Sequence, residues 1–180
     1  MQRAVEDLLA RPDIGSNLQL LGRRLPDGAQ LYVAGGAPRN VIIAALHGQA
    51  PPTRDIDIFI GGVAPDFSLS RVLQDQPTKP TDLKGIRWQP AGSDLAFDLS
   101  LLSNFFVIAA YHLEPTLDNF LQSIDFTINA IVFDLHHQAL HEAGCTAAVR
   151  ARLIAFNSRW IPDKILMAYR ILLMHHKTGF

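Results

Sequence analysis

The sequence predicts an α/β (α+β) fold: a mixed, mostly antiparallel sheet with flanking helices, mainly on one face. Three observations carry this. Segments of helix and strand character interleave along the 180 residues. Several strand segments are close neighbours in sequence, which fits a sheet of mixed direction. Apolar residues make up 48% of the chain and charged residues 18%, enough to build a substantial core and too apolar for disorder.

Each element has a local reason. Residues 4–10 and 17–25 read as two short helices split by "RPDIGS". "QLYVA" (30–34) is rich in β-formers and stops at a glycine pair, so it reads as a strand. Residues 37–47 read as a helix: Pro38 suits its first turn, and Ile42, Ile43 and Leu46 form an apolar face. "DIDIFI" (55–60) alternates as a strand does, with Asp55 and Asp57 on one face and Ile56 and Ile58 on the other. Residues 68–76 read as a helix, and 85–90 and 94–100 as two strands joined by a Pro-Ala-Gly turn. A helix over 116–123 is capped by Thr116, a strand covers 129–135, and 146–156 starts as a helix. The clearest helix spans 162–177, opened by Pro162 and Asp163 and followed by Gly179.

Composition also excludes some classes. No apolar run approaches the roughly 20 residues that span a bilayer, and the N-terminus lacks a signal-peptide pattern. Cys145 is the single cysteine, so no intrachain disulfide forms, which fits a cytoplasmic protein. The formal net charge of −1 argues against an unaided grip on a long nucleic acid.

Two carboxylates on one face of a strand repel, and each raises the other's pKa unless a cation lies between them. A hard divalent ion with oxygen ligands solves this, and Mg²⁺ is the commonest. Asp98, in the strand "DLAFDLS", stands where a third carboxylate would complete a two-metal site for displacement at phosphorus. Gly35-Gly36 followed by a helix offers free N–H groups to an anion, and Arg39 in its first turn can fork onto phosphate. The plain alternatives stand beside this reading: a D-x-D pair before an apolar run is common, and Gly-Gly is often only a turn. The seven histidines form no zinc pattern.

Three segments also resemble a known family. "VAGGAPRNVIIAALHGQAPPTRDIDIFI" resembles the G-G-x-[VP]-R-[DN]…D-[IL]-D signature of class II tRNA nucleotidyltransferases and bacterial poly(A) polymerases. "SIDFTINAIVFDL" resembles their R-R-D-F-T-I-N-A motif, and "PDKILMAYRILLMHHKTGF" resembles the helix that follows. The resemblance implies the DNA polymerase beta-like nucleotidyltransferase fold, with a head domain over 1–140 (including helices within 1–25) and the start of a helical neck over 141–180. It implies that Asp55 and Asp57 bind metal and Gly35, Gly36 and Arg39 the triphosphate. Asp98 falls at roughly the third acidic position. Asp125 and Asn129 are placed near the nucleotide's sugar and phosphates, and Asp163 and Arg170 are the remnants of the base-reading helix. The reaction implied is attack of an acceptor hydroxyl on the α-phosphate of an NTP, with two Mg²⁺ ions and loss of pyrophosphate.

The departures bear on the acceptor. The usual aspartate after the signature arginine is Asn40, and the two arginines before D-F-T-I-N-A are Ser123 and Ile124. "DKILM" replaces the base-reading E-D-x-x-R. By the resemblance, the residues up to Phe180 correspond to the family's head and the start of its neck, and the body and tail that hold tRNA in the family have no counterpart among them. An RNA 3′ end is the leading acceptor. Transfer to a protein or small molecule, or an inactive nucleotide- or partner-binding module, are the alternatives. Helix 162–177 has more Leu, Ile and Met than one face needs, which fits a homo-oligomer or partner contact there.

Overall fold

The structure, a computed structural model, describes residues 1–81, 84–161 and 163–180. Among the described residues, seven strands form one sheet in the order β3-β4-β5-β2-β1-β6-β7. They are β1 (Gln30–Ala34), β2 (Asp55–Gly61), β3 (Thr78–Pro80), β4 (Ile86–Trp88), β5 (Ala96–Leu101), β6 (Ile131–Asp134) and β7 (Ala139–Glu142). Only β2 and β5 run parallel; every other neighbouring pair is antiparallel. The mixed, mostly antiparallel sheet expected from the sequence is therefore present.

Alternation along the strands sorts side chains onto two faces. Ile56, Ile58 and Ile60 of β2 join Val33, Phe97 and Phe133 in the larger core. That face is covered by α1 (Gln2–Leu9), α2 (Pro12–Arg24), α3 (Gly36–His47) and α7 (Cys145–Ala151). The opposite face carries a smaller cluster of Tyr32, Ala34 and Val132 packed against Ile108 of α5 (Phe106–Ala110) and Phe120 of α6 (Leu117–Ser123). Asp55 and Asp57 lie on this second, less covered face, opposite Ile56 and Ile58 as the alternation requires. Cys145 opens α7 fully buried, and its thiol donates to the Ile128 carbonyl at 3.1 Å.

Several boundaries differ from the sequence reading, each for a physical reason. The second helix starts at Pro12, not at 17, because proline suits the first helical turn and Asp13 complements its N-terminus. Gly15 lies inside this helix where a Cβ would stand 3.0 Å from the Leu9 carbonyl, so it permits a close approach of α1 and α2. The helix expected over 68–76 is a single turn, α4 (Leu69–Val72). The strand expected from 129 begins at Ile131, because Thr127–Asn129 forms a 3-10 turn. Helix α7 ends at Ala151, with Arg152 in the left-handed region at φ 52°. The last helix, α8 (Lys164–Thr178), is capped by Asp163, whose side chain accepts from the Leu166 N–H at 2.9 Å. Gly179 closes it at φ 71°. Pro162, expected to open it, lies outside the described residues. No helix among the described residues is long and apolar enough to cross a membrane.

Candidate active site

A cleft of about 1010 Å³ opens over the second face of the sheet, lined by β1, β2, β5, the start of α3 and one side of α8. Register explains its chemistry. Ala34 lies opposite Asp57, Asp57 opposite Asp98, and Asp98 opposite Arg87. Directly paired residues share a face and neighbouring strands are about 4.8 Å apart, so these side chains form one row across four strands. Asp55 lies two residues before Asp57 on the same face of β2.

The chain leaves β1 through Gly35, which has φ 70° and ψ −128°, a conformation open to glycine alone. A Cβ at Gly35 would stand 2.7 Å from Asp57 Oδ2. The missing side chain thus lets the backbone turn sit against the carboxylate, where the Gly36 N–H favours the charged form of Asp57. Helix α3 starts immediately after, with its N-terminus at the cleft.

Burial, then Asp98, then Asp55 push the Asp57 carboxyl up to about 6, against the opposing pull of Gly36 N–H and Arg39. Burial also raises Asp98, an effect that Arg87 opposes. Arg87 bridges two carboxylates: Nη2 pairs with Asp55, and Nη1 lies 3.3 Å from Asp98 Oδ2. The other Asp98 oxygen, Oδ1, is buried with no hydrogen-bond partner among the described residues. Three carboxylates with an orphaned oxygen fit a hard divalent cation in number and chemistry. Among the described residues, however, no three His, Cys, Asp or Glu side chains converge on one ion-sized point. The guanidinium across Asp55 and Asp98 stands in for a cation, so closing the carboxylates around an ion requires Arg87 to swing away.

Arg39 is buried and committed. Its Nη1 donates to Asn129 Oδ1 at 2.6 Å, and Nε and Nη2 donate to Asn40 Oδ1 at 3.2 and 3.0 Å. Asn129 in turn donates to Asp125 Oδ1 at 3.0 Å, and Asp125 Oδ2 accepts from Arg170 Nε at 2.7 Å. Burial lowers the Arg39 pKa. The sequence reading gave Arg39 an open fork for phosphate; the structure instead makes it the hub of an Asn40–Arg39–Asn129–Asp125–Arg170 chain behind the glycine turn. Met174 Sδ accepts weakly from Arg39 at 3.5 Å and fastens α8 to this chain. Asn40 also donates to the Pro51 carbonyl at 3.1 Å, which an aspartate could not do.

Gly35, Gly36, Arg39, Asp55, Asp57, Asp98, Asp125, Asn129 and Arg170 all line the one cleft. Asp163 does not; it is spent on the α8 cap. The sequence reading missed Arg87. The signal was there: "IRW" alternates, and folding 85–90 onto 94–100 about the Gly92 turn sets Arg87 opposite Asp98. It also missed the structural role of Asn40, which has no signature outside the fold.

No protein-family model and no curated protein matches this sequence. Solved structures do match. A CCA-adding enzyme in complex with ATP superposes over 98% of this chain and 41% of its own, at TM-score 0.70 and 19% identity. The Thermotoga maritima CCA-adding enzyme with tRNA covers the same shares at TM-score 0.68 and 22% identity. The fold is that of the CCA-adding enzymes. The Bacillus stearothermophilus CCA-adding enzyme with CTP agrees, at TM-score 0.64 and 21% identity over 94% of this chain and 40% of its own. The chain therefore spans about two fifths of the length of these CCA-adding enzymes. Where the resembling motif carries two arginines, Ser123 and Ile124 are buried here. The Ser123 hydroxyl donates to the Asn119 carbonyl at 2.6 Å, and Ile124 packs in the smaller core.

Proposed function

We propose that this chain is an Mg²⁺-dependent nucleotidyltransferase. It transfers an NMP from a nucleoside triphosphate to an acceptor hydroxyl, an RNA 3′ end of tRNA-like type, in the cytoplasm. The observation that carries this reading is the meeting of Asp55, Asp57 and Asp98 with the Gly35–Gly36 turn in one cleft. Neighbours of the same fold solved with ATP, CTP and tRNA support it.

In this reading the glycine turn and the α3 N-terminus take the phosphates. Asp125, Asn129 and Arg170 line the nucleotide's flank of the cleft, backed by Arg39. Asp55, Asp57 and Asp98 would hold two Mg²⁺ ions, which supply charge neutralisation at the attacking and leaving oxygens. The acceptor oxygen bonds to the α-phosphorus, the bond to the β-phosphate oxygen breaks, and pyrophosphate and a proton leave.

A nucleotide-binding module without transfer is the second reading, favoured by the Arg87 guanidinium lying on two of the three carboxylates. One assay separates them. Each of the four α-labelled NTPs is incubated with the protein, Mg²⁺ and total RNA or, separately, protein extract. Label entering RNA, and lost in an Asp55→Ala/Asp57→Ala variant, is the expected result. Label entering protein moves the acceptor, and no label with retained Mg²⁺–NTP binding leaves the module.

The exposed apolar face of α8, with Ile165 84%, Tyr169 62% and Leu172 68% exposed, fits a contact with another subunit or a partner. Sedimentation velocity of the Ile165→Lys/Leu172→Lys variant against the parent tests self-association.

A further inference from the structure

The carboxylate row continues beyond Arg87. Lys79 of β3 lies directly opposite Arg87 of β4, so both side chains share the face that carries Asp98 and Asp57. The row thus reads, from β1 outwards, glycine turn, Asp57, Asp98, Arg87, Lys79. Lys79 and Arg87 also line a separate groove of about 450 Å³ with Thr78, Gln89 and Ser93. Among the described residues that line the groove, none is acidic. Arg87 links groove and cleft: it lines the groove, and its guanidinium pairs with Asp55 and Asp98 of the cleft.

Displacement at phosphorus is in line, with the attacking and leaving oxygens on opposite sides. The glycine turn and helix N-terminus at one end of the row suit the triphosphate and hence the leaving pyrophosphate. The attacking hydroxyl must then approach from the other end, over Asp98 and towards Arg87 and Lys79. A cationic groove at that end suits an anion attached to the acceptor. We propose that the Lys79–Arg87 groove binds the phosphodiester next to the attacking hydroxyl of a single-stranded nucleic-acid end. This rests on the nucleotidyltransferase reading and adds to it where the acceptor strand lies. It also gives the chain a local source of positive charge despite a net charge of −1.

Lys79 is exposed and at a sheet edge, so Lys79→Gln tests the proposal without disturbing the core. The probe is a 5′-fluorescein-labelled 12-nucleotide single-stranded RNA, titrated with protein by anisotropy in Mg²⁺ at several salt concentrations. Mg·ATP binding to the same proteins is measured in parallel by calorimetry. The expected result is a three- to tenfold weaker RNA affinity for Lys79→Gln, a salt slope shallower by about 0.7, and unchanged ATP affinity. Arg87→Gln, checked for folding by circular dichroism, weakens RNA in the same direction. RNA affinity and salt slope equal to the parent's in Lys79→Gln overturn the proposal. Tight ATP binding by the parent with no RNA binding also overturns it, while leaving nucleotidyl transfer to another acceptor intact. Binding of neither RNA nor Mg·ATP by the parent overturns the function reading and this proposal with it.

Discussion

A methyl group at position 35 would meet Asp57 Oδ2 at 2.7 Å and be carried at φ 70°. Gly35→Ala is therefore expected to cost about 2 kcal/mol of stability and to weaken Mg·ATP binding, read by urea denaturation and calorimetry on the same preparation. Asp57 gives a sign as well as a size. Its folded pKa, about 6, stands above the ordinary 3.8, so the folded state holds the extra proton between these values. In EDTA, stability is then full below about pH 4 and falls as pH rises through 6, by on the order of 1–3 kcal/mol. The urea midpoint followed from pH 4 to 7 checks this, and Asp57→Asn should flatten the curve. Arg87 pairs with Asp55 and Asp98, two of the three carboxylates proposed to hold the metal. Arg87→Ala should accordingly bind Mn²⁺ more tightly than the parent by electron paramagnetic resonance; weaker binding would mean that Arg87 supports the ion rather than displacing it. At this scale the sequence was informative where chemistry follows alternation: Asp55 and Asp57 needed only a strand. Arg39 was harder, because its partner Asn129 is 90 residues away and meets it only in the fold.

Elements were legible in proportion to their own signals. β1, β2, α3 and α8 carry clear alternation, periodicity or caps, and all four lie where the residues put them. Strands β3 and β7 escaped because each is a short edge strand defined by its partner, and Pro80 disguises β3 further. The one-turn helix α4 was overread because six apolar or helix-forming residues around it look alike whether or not they coil. Helix α8 is held differently from the others: Met174 is its one buried residue, so its own cap matters. Asp163→Ala should destabilise α8 by about 1 kcal/mol, visible as faster amide exchange over 164–178 with the sheet unchanged.

Across the whole molecule, β1 is the organising strand, because it pairs with β2 on one side and with β6, about 100 residues later, on the other. Amide exchange should be slowest in β1 and β2 and fastest in β3 and β7 at the edges. The division into a head over 1–140 and a neck over 141–180 remains a proposal, and the same experiment tests it. Helix α7 shares the main core with α3, so co-protection of 145–151 with α3 would place the edge of the unit after α7, and independent exchange would place it before. The thiol at the start of α7 turns this architecture into a reporter. Cys145 is fully buried, donates to a backbone carbonyl, and is pushed up to about 12 by burial. The native protein should be silent towards maleimide at neutral pH. As the chain's single cysteine, it makes each alkylated molecule a record of one opening of the sheet–α7 seam, so labelling rate alone will time the opening of this fold.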